Sequence, residues 1–288
     1  MTHNRNFSAW FLMLPALVLL FGFTYLPTIK TLWYSFFVNV PGVQPQASLD
    51  NYRYLFDDEV LWQVLKNNII YTAITVPTSI ILALLMALWV NAKLRGRGIL
   101  RLAYFTPTIL PMIAVANIWL FFYSPEIGLL NQLLAFFGYD GYNWLGDPNL
   151  ALYSLMAMTV WKEAGFFMIF YLAALQNINT TLYQACAIEG AGRCYQFRRV
   201  VFPLLMPTTL FVLVNAVLNA FKLVDHLFIL TKGGPNNASN LLLYYIYETA
   251  FSFLDNSYAA VLTVVMLLIL LVLAVVQFGV LEKRVHYR

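Results

Sequence analysis

A chain of 288 residues that is 61% hydrophobic and 10% charged lies far from soluble globular proteins, in which about a quarter of residues carry charge. That composition excludes a soluble domain and leaves an all-α integral membrane protein. A net charge of +4 is too modest to argue for a nucleic-acid partner, and it is accounted for below by where the cations fall.

Crossing a hydrocarbon core of about 30 Å takes roughly 20 apolar residues of helix. Six stretches qualify, at about 9–36, 69–91, 102–123, 150–178, 204–230 and 258–281, and they predict a single six-helix bundle over 1–288. The first resembles a signal peptide in its apolar run, but no small-residue cleavage pair follows before Tyr25-Leu26-Pro27, so it is expected to be retained. The next segment begins with proline and glycine and then turns amphipathic. Tyr54, Leu55, Leu61, Trp62 and Leu65 oppose Asp57-Asp58-Glu59, which predicts a helix lying in the outer interface. Pro77 interrupts the second span, and Pro107 and Pro111 interrupt the third, predicting kinks whose freed backbone groups neighbouring helices must satisfy. The external loop at 124–149 has three acids, no cation and turn signals at Tyr139-Asp140-Gly141 and Asp147-Pro148, and reads as an ordered re-entrant cap.

Charge placement orients the chain, because Lys and Arg accumulate in short cytoplasmic loops. Arg5, Lys93, Arg95, Arg97, Arg101, Arg193, Arg198, Arg199, Lys283, Arg284 and Arg288 fall on one side, against only Arg53 and Lys232 on the other. Lys30, Lys66, Lys162 and Lys222 lie within or at the edge of spans. Both termini are therefore expected in the cytoplasm.

Ionisable groups inside a span cost about 2.5–3.5 kcal/mol each at its centre on insertion scales, so they are functional candidates. In the fourth span Lys162 and Glu163 are adjacent and point about 100° apart, so each must find its own partner. Phe166, Phe167, Phe170 and Tyr171 follow, as core or lipid-facing residues or as stacking faces for a solute ring. In the fifth, Asn215, Asn219, Lys222 and His226 recur at spacings of one turn, with Asp225 three residues beyond Lys222. That stripe is either a path lining or a polar seam gripping another helix, with Lys222 neutralised by Asp225.

Between these spans lies a short, polar and basic segment at 179–203. Thr181 followed by Gln184 predicts a capping-box helix start, and Gly190 its end. Phe197, Val200, Val201 and Leu204 then fall at helical spacing, with Arg193, Arg198 and Arg199 facing away and Pro203 marking the turn into the fifth span. The arginines alone fit a loop lying on anionic lipid. The two cysteines, Cys186 and Cys194, match no metal spacing and are expected to be free thiols.

Gln184-Ala185-Cys186, then Glu189-Gly190-Ala191, Phe197, Val200, Pro203 and Pro207 resemble the EAA loop of bacterial ABC-importer permeases. Gln184, Cys186 and Glu189 stand where that pattern has Glu, Ala and Asp. Gly128-Leu129-Leu130-Asn131, Trp144-Leu145, Asp147-Pro148, the run Leu230 to Pro235, and Tyr247-Glu248-Thr249-Ala250-Phe251 resemble the carbohydrate-uptake branch, in particular the first permease of heterodimeric importers for sugars and glycerol phosphate. The resemblance implies a type I importer permease fold in the bacterial inner membrane. It also implies a coupling helix, formed by Gln184, Ala185, Cys186, Glu189, Gly190, Ala191, Phe197 and Pro203, docked on a cytoplasmic ATPase. Its implied partners are a second permease, two ATPase copies holding ATP and Mg, and an external solute-binding protein. This chain is then a non-catalytic subunit that binds no cofactor, with Asn215, Asn219, Lys222, Asp225 and His226 as its path candidates. The alternative is a self-sufficient proton-coupled transporter or channel relaying protons through Lys222, Asp225 and His226. Against it stands the lack of an inverted repeat of hydrophobic segments.

Overall fold

The computed structural model describes residues 3–38, 46–92 and 96–281. Lys93, Arg95, Lys283, Arg284 and Arg288, and the side chain of Arg5, which carried part of the charge argument, lie outside the described residues.

Contacts divide the chain into two compact units, one within Met1–Glu59 and Ile246–Leu268, the other within Val60–Tyr245 and Ile269–Arg288. In the first, α1 (His3–Leu20) and α2 (Leu26–Tyr34) are joined by a widened π turn at Phe21–Tyr25, and from Leu12 to Tyr34 every residue but the half-buried Thr31 is exposed. The widening ends two residues before Pro27, which has no N–H for the helical ladder and whose ring crowds the preceding turn. Two short antiparallel strands, β1 (Phe37–Val38) and β2 (Gln46–Ala47), lead to α3 (Asp50–Asp57). The interface helix expected over this region is broken. Asp58 turns extended, is buried, and accepts a hydrogen bond from the Tyr258 hydroxyl, so it does not belong to a solvated acidic face.

In the second unit, α4 (Glu59–Asn91) starts ten residues before the predicted second span, taking in Leu61, Trp62 and Leu65. The third span is not one kinked helix. α5 (Arg97–Ile109) and α6 (Met112–Phe122) meet at 103°, with Leu110 and Pro111 both extended between them. The residue before a proline is pushed out of the α region, and here Leu110 takes ψ 137°. α7 (Leu129–Phe136) lies in the loop ahead of α8 (Ala151–Gln176), the most buried helix of the chain. Gly165 allows α5 to touch α8, since a Cβ there would lie 2.2 Å from the Tyr104 carbonyl oxygen.

Next come α9 (Thr180–Ile188), α10 (Arg193–Gln196), a second π turn at Phe197–Val201, and α11 (Phe202–Lys222). The turn expected at Pro203 is absent, because the helix runs through it. As before Pro27, the wide turn ends two residues short of the proline and absorbs its missing N–H. The inserted residue also shifts the helical phase, so Leu205, fully buried, faces inward where Leu204 was expected. α11 stops at Lys222, Leu223 is extended, and α12 (Asp225–Leu230) begins a new turn. α13 (Leu242–Tyr247) and α14 (Asn256–Val276) complete the order. Among the described residues five helices are long and apolar enough to cross a membrane, and the bent α5–α6 pair makes a sixth when counted as one span.

Candidate functional site

The best-defined polar cluster begins with a stripe on α4. Asn67, Tyr71, Thr75 and Ser79 recur every four residues and are all buried, continued by Ala83 and Ala87. The Tyr71 hydroxyl lies 2.7 Å from Thr159 Oγ1 on α8 and 3.1 Å from His226 Nε2 on α12. One turn along α8, Glu163 accepts a 2.7 Å hydrogen bond from Asn219 Nδ2 on α11. Thr75, Ser79, Thr159, Glu163, Phe167 and Asn219 line a narrow cleft with room for about one water molecule. Hydroxyls, an amide and a carboxylate thus converge inside a helical bundle, where each unpaired polar group would cost several kcal/mol. Such groups can exchange hydrogen bonds with a polyhydroxylated solute only where the helices part to admit it.

The predicted fifth-span stripe is brought together only in part. Asn219 faces the cleft, whereas Asn215 bonds its own helix at Phe211 O, 2.8 Å away. His226 is fully buried beside Tyr71, and its Nδ1 has no partner among the described residues. Lys222 and Asp225 are exposed on either side of the break at Leu223, and no ion pair joins them among the described residues. The spacing argument assumed a continuous helix, and the break removes the shared face. Phe167 and Tyr171 are core residues, with the Tyr171 hydroxyl donating to Thr209 Oγ1 at 3.1 Å. The α4 stripe was missed because Asn, Tyr, Thr and Ser carry no charge. Its signal is the recurrence at every fourth position from 67 to 79.

Two loops are fastened to this unit by buried asparagines. Asn131 Nδ2 donates to the carbonyls of Pro125 and Tyr142, both at 2.9 Å, while its Oδ1 accepts from Tyr142 N and Trp144 Nε1. The cap at 124–149 is therefore ordered around one side chain. On α4, Asn67 Nδ2 donates to Asn237 O at 2.8 Å and Asn240 O at 3.0 Å, and Asn68 Oδ1 accepts from Leu242 N at 2.6 Å. The loop containing Thr231-Lys232-Gly233-Gly234-Pro235 is thus tied to the same helix that bears Tyr71.

The basic segment forms a knob. Its N-cap is Asn179, whose Oδ1 accepts from Thr181 N at 3.0 Å, so the helix starts one residue before Thr181 and the predicted capping box is not formed. At the other end Gly190 takes φ +70°, its N–H reaches Ala187 O, and Ala191 N–H reaches Cys186 O at 2.9 Å. That pair of bonds is a Schellman cap, which a left-handed glycine makes at low cost. Gln184, Ala185 and Glu189 are exposed, Cys186 is buried, Ala191 is half-buried, and Ile188 protrudes with 88% of its surface free. Partial burial raises the Tyr183 phenol above its ordinary pKa. Phe197 is half-buried in the π turn and Pro203 is exposed in the first turn of α11. Both cysteines are free.

Comparison with known proteins agrees with this architecture. Residues 79–287 match the family described as "Binding-protein-dependent transport system inner membrane component". Relatives include the probable ABC transporter permease protein YurN of Bacillus subtilis, 32% identical over 96% of this chain and 97% of its own. The sn-glycerol-3-phosphate transport system permease protein UgpA of Yersinia pestis is 33% identical over 97% and 95%, and the lactose transport system permease protein LacF of Rhizobium radiobacter 32% over 96% and 95%. The same fold occurs in a crystal structure of a bacterial ABC transporter involved in importing the acidic polysaccharide alginate, with a TM-score of 0.87 at 23% identity over 97% of this chain and 96% of that one. The chain belongs to the family of inner-membrane components of binding-protein-dependent transport systems, the ABC-importer permeases, and is a multi-pass membrane protein.

Proposed function

We propose that this chain is one of two permease subunits of an ATP-driven importer for a sugar or sugar-like solute, working by alternating access with both termini in the cytoplasm. A second permease completes the path, two copies of a separate ATPase drive it, and an external binding protein delivers the solute. The observation that carries the reading is the link between knob and cleft: after Gly190 only Ala191 and Gly192 separate the exposed helix α9 from the continuous helix that bears Asn219. Force applied at α9 therefore has a continuous helical route to the polar cleft. The solute class is supported by the names of the relatives, which include lactose and glycerol-phosphate permeases.

Glu189 and Ile188 present a charge and an apolar tip to the ATPase, while Gln184 offers a neutral amide where the family pattern has an acid. Catalysis of ATP hydrolysis, with its Mg, lies in the partner subunit. Vesicles reconstituted with the permease pair, the ATPase and the binding protein are expected to accumulate labelled solute only when all components and ATP are present. Uptake by this chain alone, in proportion to a proton gradient, contradicts the proposal.

A further inference from the structure

The break between α5 and α6 raises a backbone problem that one side chain solves. Pro111 has no N–H, so the Pro107 carbonyl four residues earlier loses its helical donor, and the Leu110 carbonyl lies beyond the end of α5. Both carbonyls lie at the negative end of the α5 dipole, the first part-buried and the second exposed, and both are taken by Lys162 Nζ, at 3.0 Å and 2.6 Å. Three residues along α8, Gly165 gives the Tyr104 carbonyl room to approach. One face of α8 is therefore shaped to hold the end of α5. The neighbouring residue, Glu163, points about 100° away and holds Asn219 of α11.

We propose that Lys162 is a positioning residue of the transport cycle: it makes the α5–α6 bend move as one body with α8, so that a displacement entering through α9 and α11 reaches the bend by way of Asn219, Glu163 and Lys162. The amine is committed to two main-chain carbonyls, and its role is mechanical; it does not bind solute. This deepens the importer reading and rests on it. Without the tie, ATP hydrolysis proceeds but the bend no longer follows α8.

The test uses the complete reconstituted complex and reads solute moved per ATP hydrolysed, together with assembly. Lys162→Arg keeps donors for both carbonyls, Lys162→Gln keeps donors without the charge, and Lys162→Met keeps neither. The ratio is expected to fall in the order Lys, Arg, Gln, Met, by about tenfold at the last step, with binding-protein-stimulated ATP hydrolysis retained. An unchanged ratio in Lys162→Met overturns the proposal. Failure of all three variants to assemble also overturns it, since Lys162 is then needed for folding alone. A wild-type complex that shows no ATP-dependent uptake refutes the importer reading itself, and that result is visible before any variant is made.

Discussion

Asn131→Asp replaces one NH₂ with an oxygen and leaves the shape of the side chain almost unchanged, which makes it the sharpest probe of the loop at 124–149. Oδ1 keeps its two donors, Tyr142 N and Trp144 Nε1, but the other position now sets an acceptor against the Pro125 and Tyr142 carbonyls at 2.9 Å. Two lost hydrogen bonds contribute about 1–3 kcal/mol together, and stranding two carbonyls beside a carboxylate at a site only 7% exposed raises the total to about 3–5 kcal/mol. Asn131→Ala removes all four bonds but leaves space for water, and is expected to cost less, about 2 kcal/mol. The aspartate's folded pKa is raised above its unfolded value of about 3.9, because burial and the carbonyls disfavour the anion. Protonation then restores one donor, so the deficit against wild type is smallest at low pH and grows as pH rises through the folded pKa. Thermal unfolding of the purified permease pair in detergent, with limited proteolysis within 124–149, measures both effects. An Asn131→Asp protein that melts with the wild type at neutral pH refutes the hub.

Other expectations follow from close approaches and buried partners. Gly165→Val forces side-chain carbon against the Tyr104 carbonyl and is expected to destabilise by about 1–3 kcal/mol or more, seen as a lower melting temperature, whereas Gly98→Ala, in the helix α5 that carries Tyr104 and with nothing near its missing Cβ, does not lower it. Tyr71→Phe removes the hydroxyl shared by Thr159 and His226 and should cost about 1–3 kcal/mol in the same assay. Asn67→Leu strands the carbonyls of Asn237 and Asn240, and should expose the loop at 231–242 to protease before the helices unfold.

Much of the fold is legible because hydropathy and positive charge act over whole segments and do not depend on contacts far along the chain. Gly190 is legible for a similar reason, since ending a helix is a local act. The 103° break is not. Pro107 and Pro111 announce freed carbonyls, but the donor that the Pro107 and Leu110 carbonyls find, Lys162, lies more than fifty residues away. A proline whose i−4 carbonyl needs a donor, together with an intramembrane lysine, is the signal that connects them. The fifth-span stripe misled for the opposite reason. Leu223 leaves the helix, so Lys222 and Asp225 lose the shared face that their spacing gave them on paper. The site lies instead where α4, α8 and α11 meet, and its α4 side is written in uncharged residues that a search for ionisable groups passes over.

The claim at the centre of the account is that α9 and its glycine cap pass motion between the ATPase and the cleft, and Gly190 tests it most directly. Its φ of +70° is closed to proline, while asparagine enters that region at modest cost. The measurement is binding-protein-stimulated ATP hydrolysis by the reconstituted complex carrying Gly190→Pro or Gly190→Asn, with assembly checked in parallel. Stimulation is expected to collapse in Gly190→Pro and to persist in Gly190→Asn, with both assembled in the membrane. Full stimulation in an assembled Gly190→Pro complex contradicts the account.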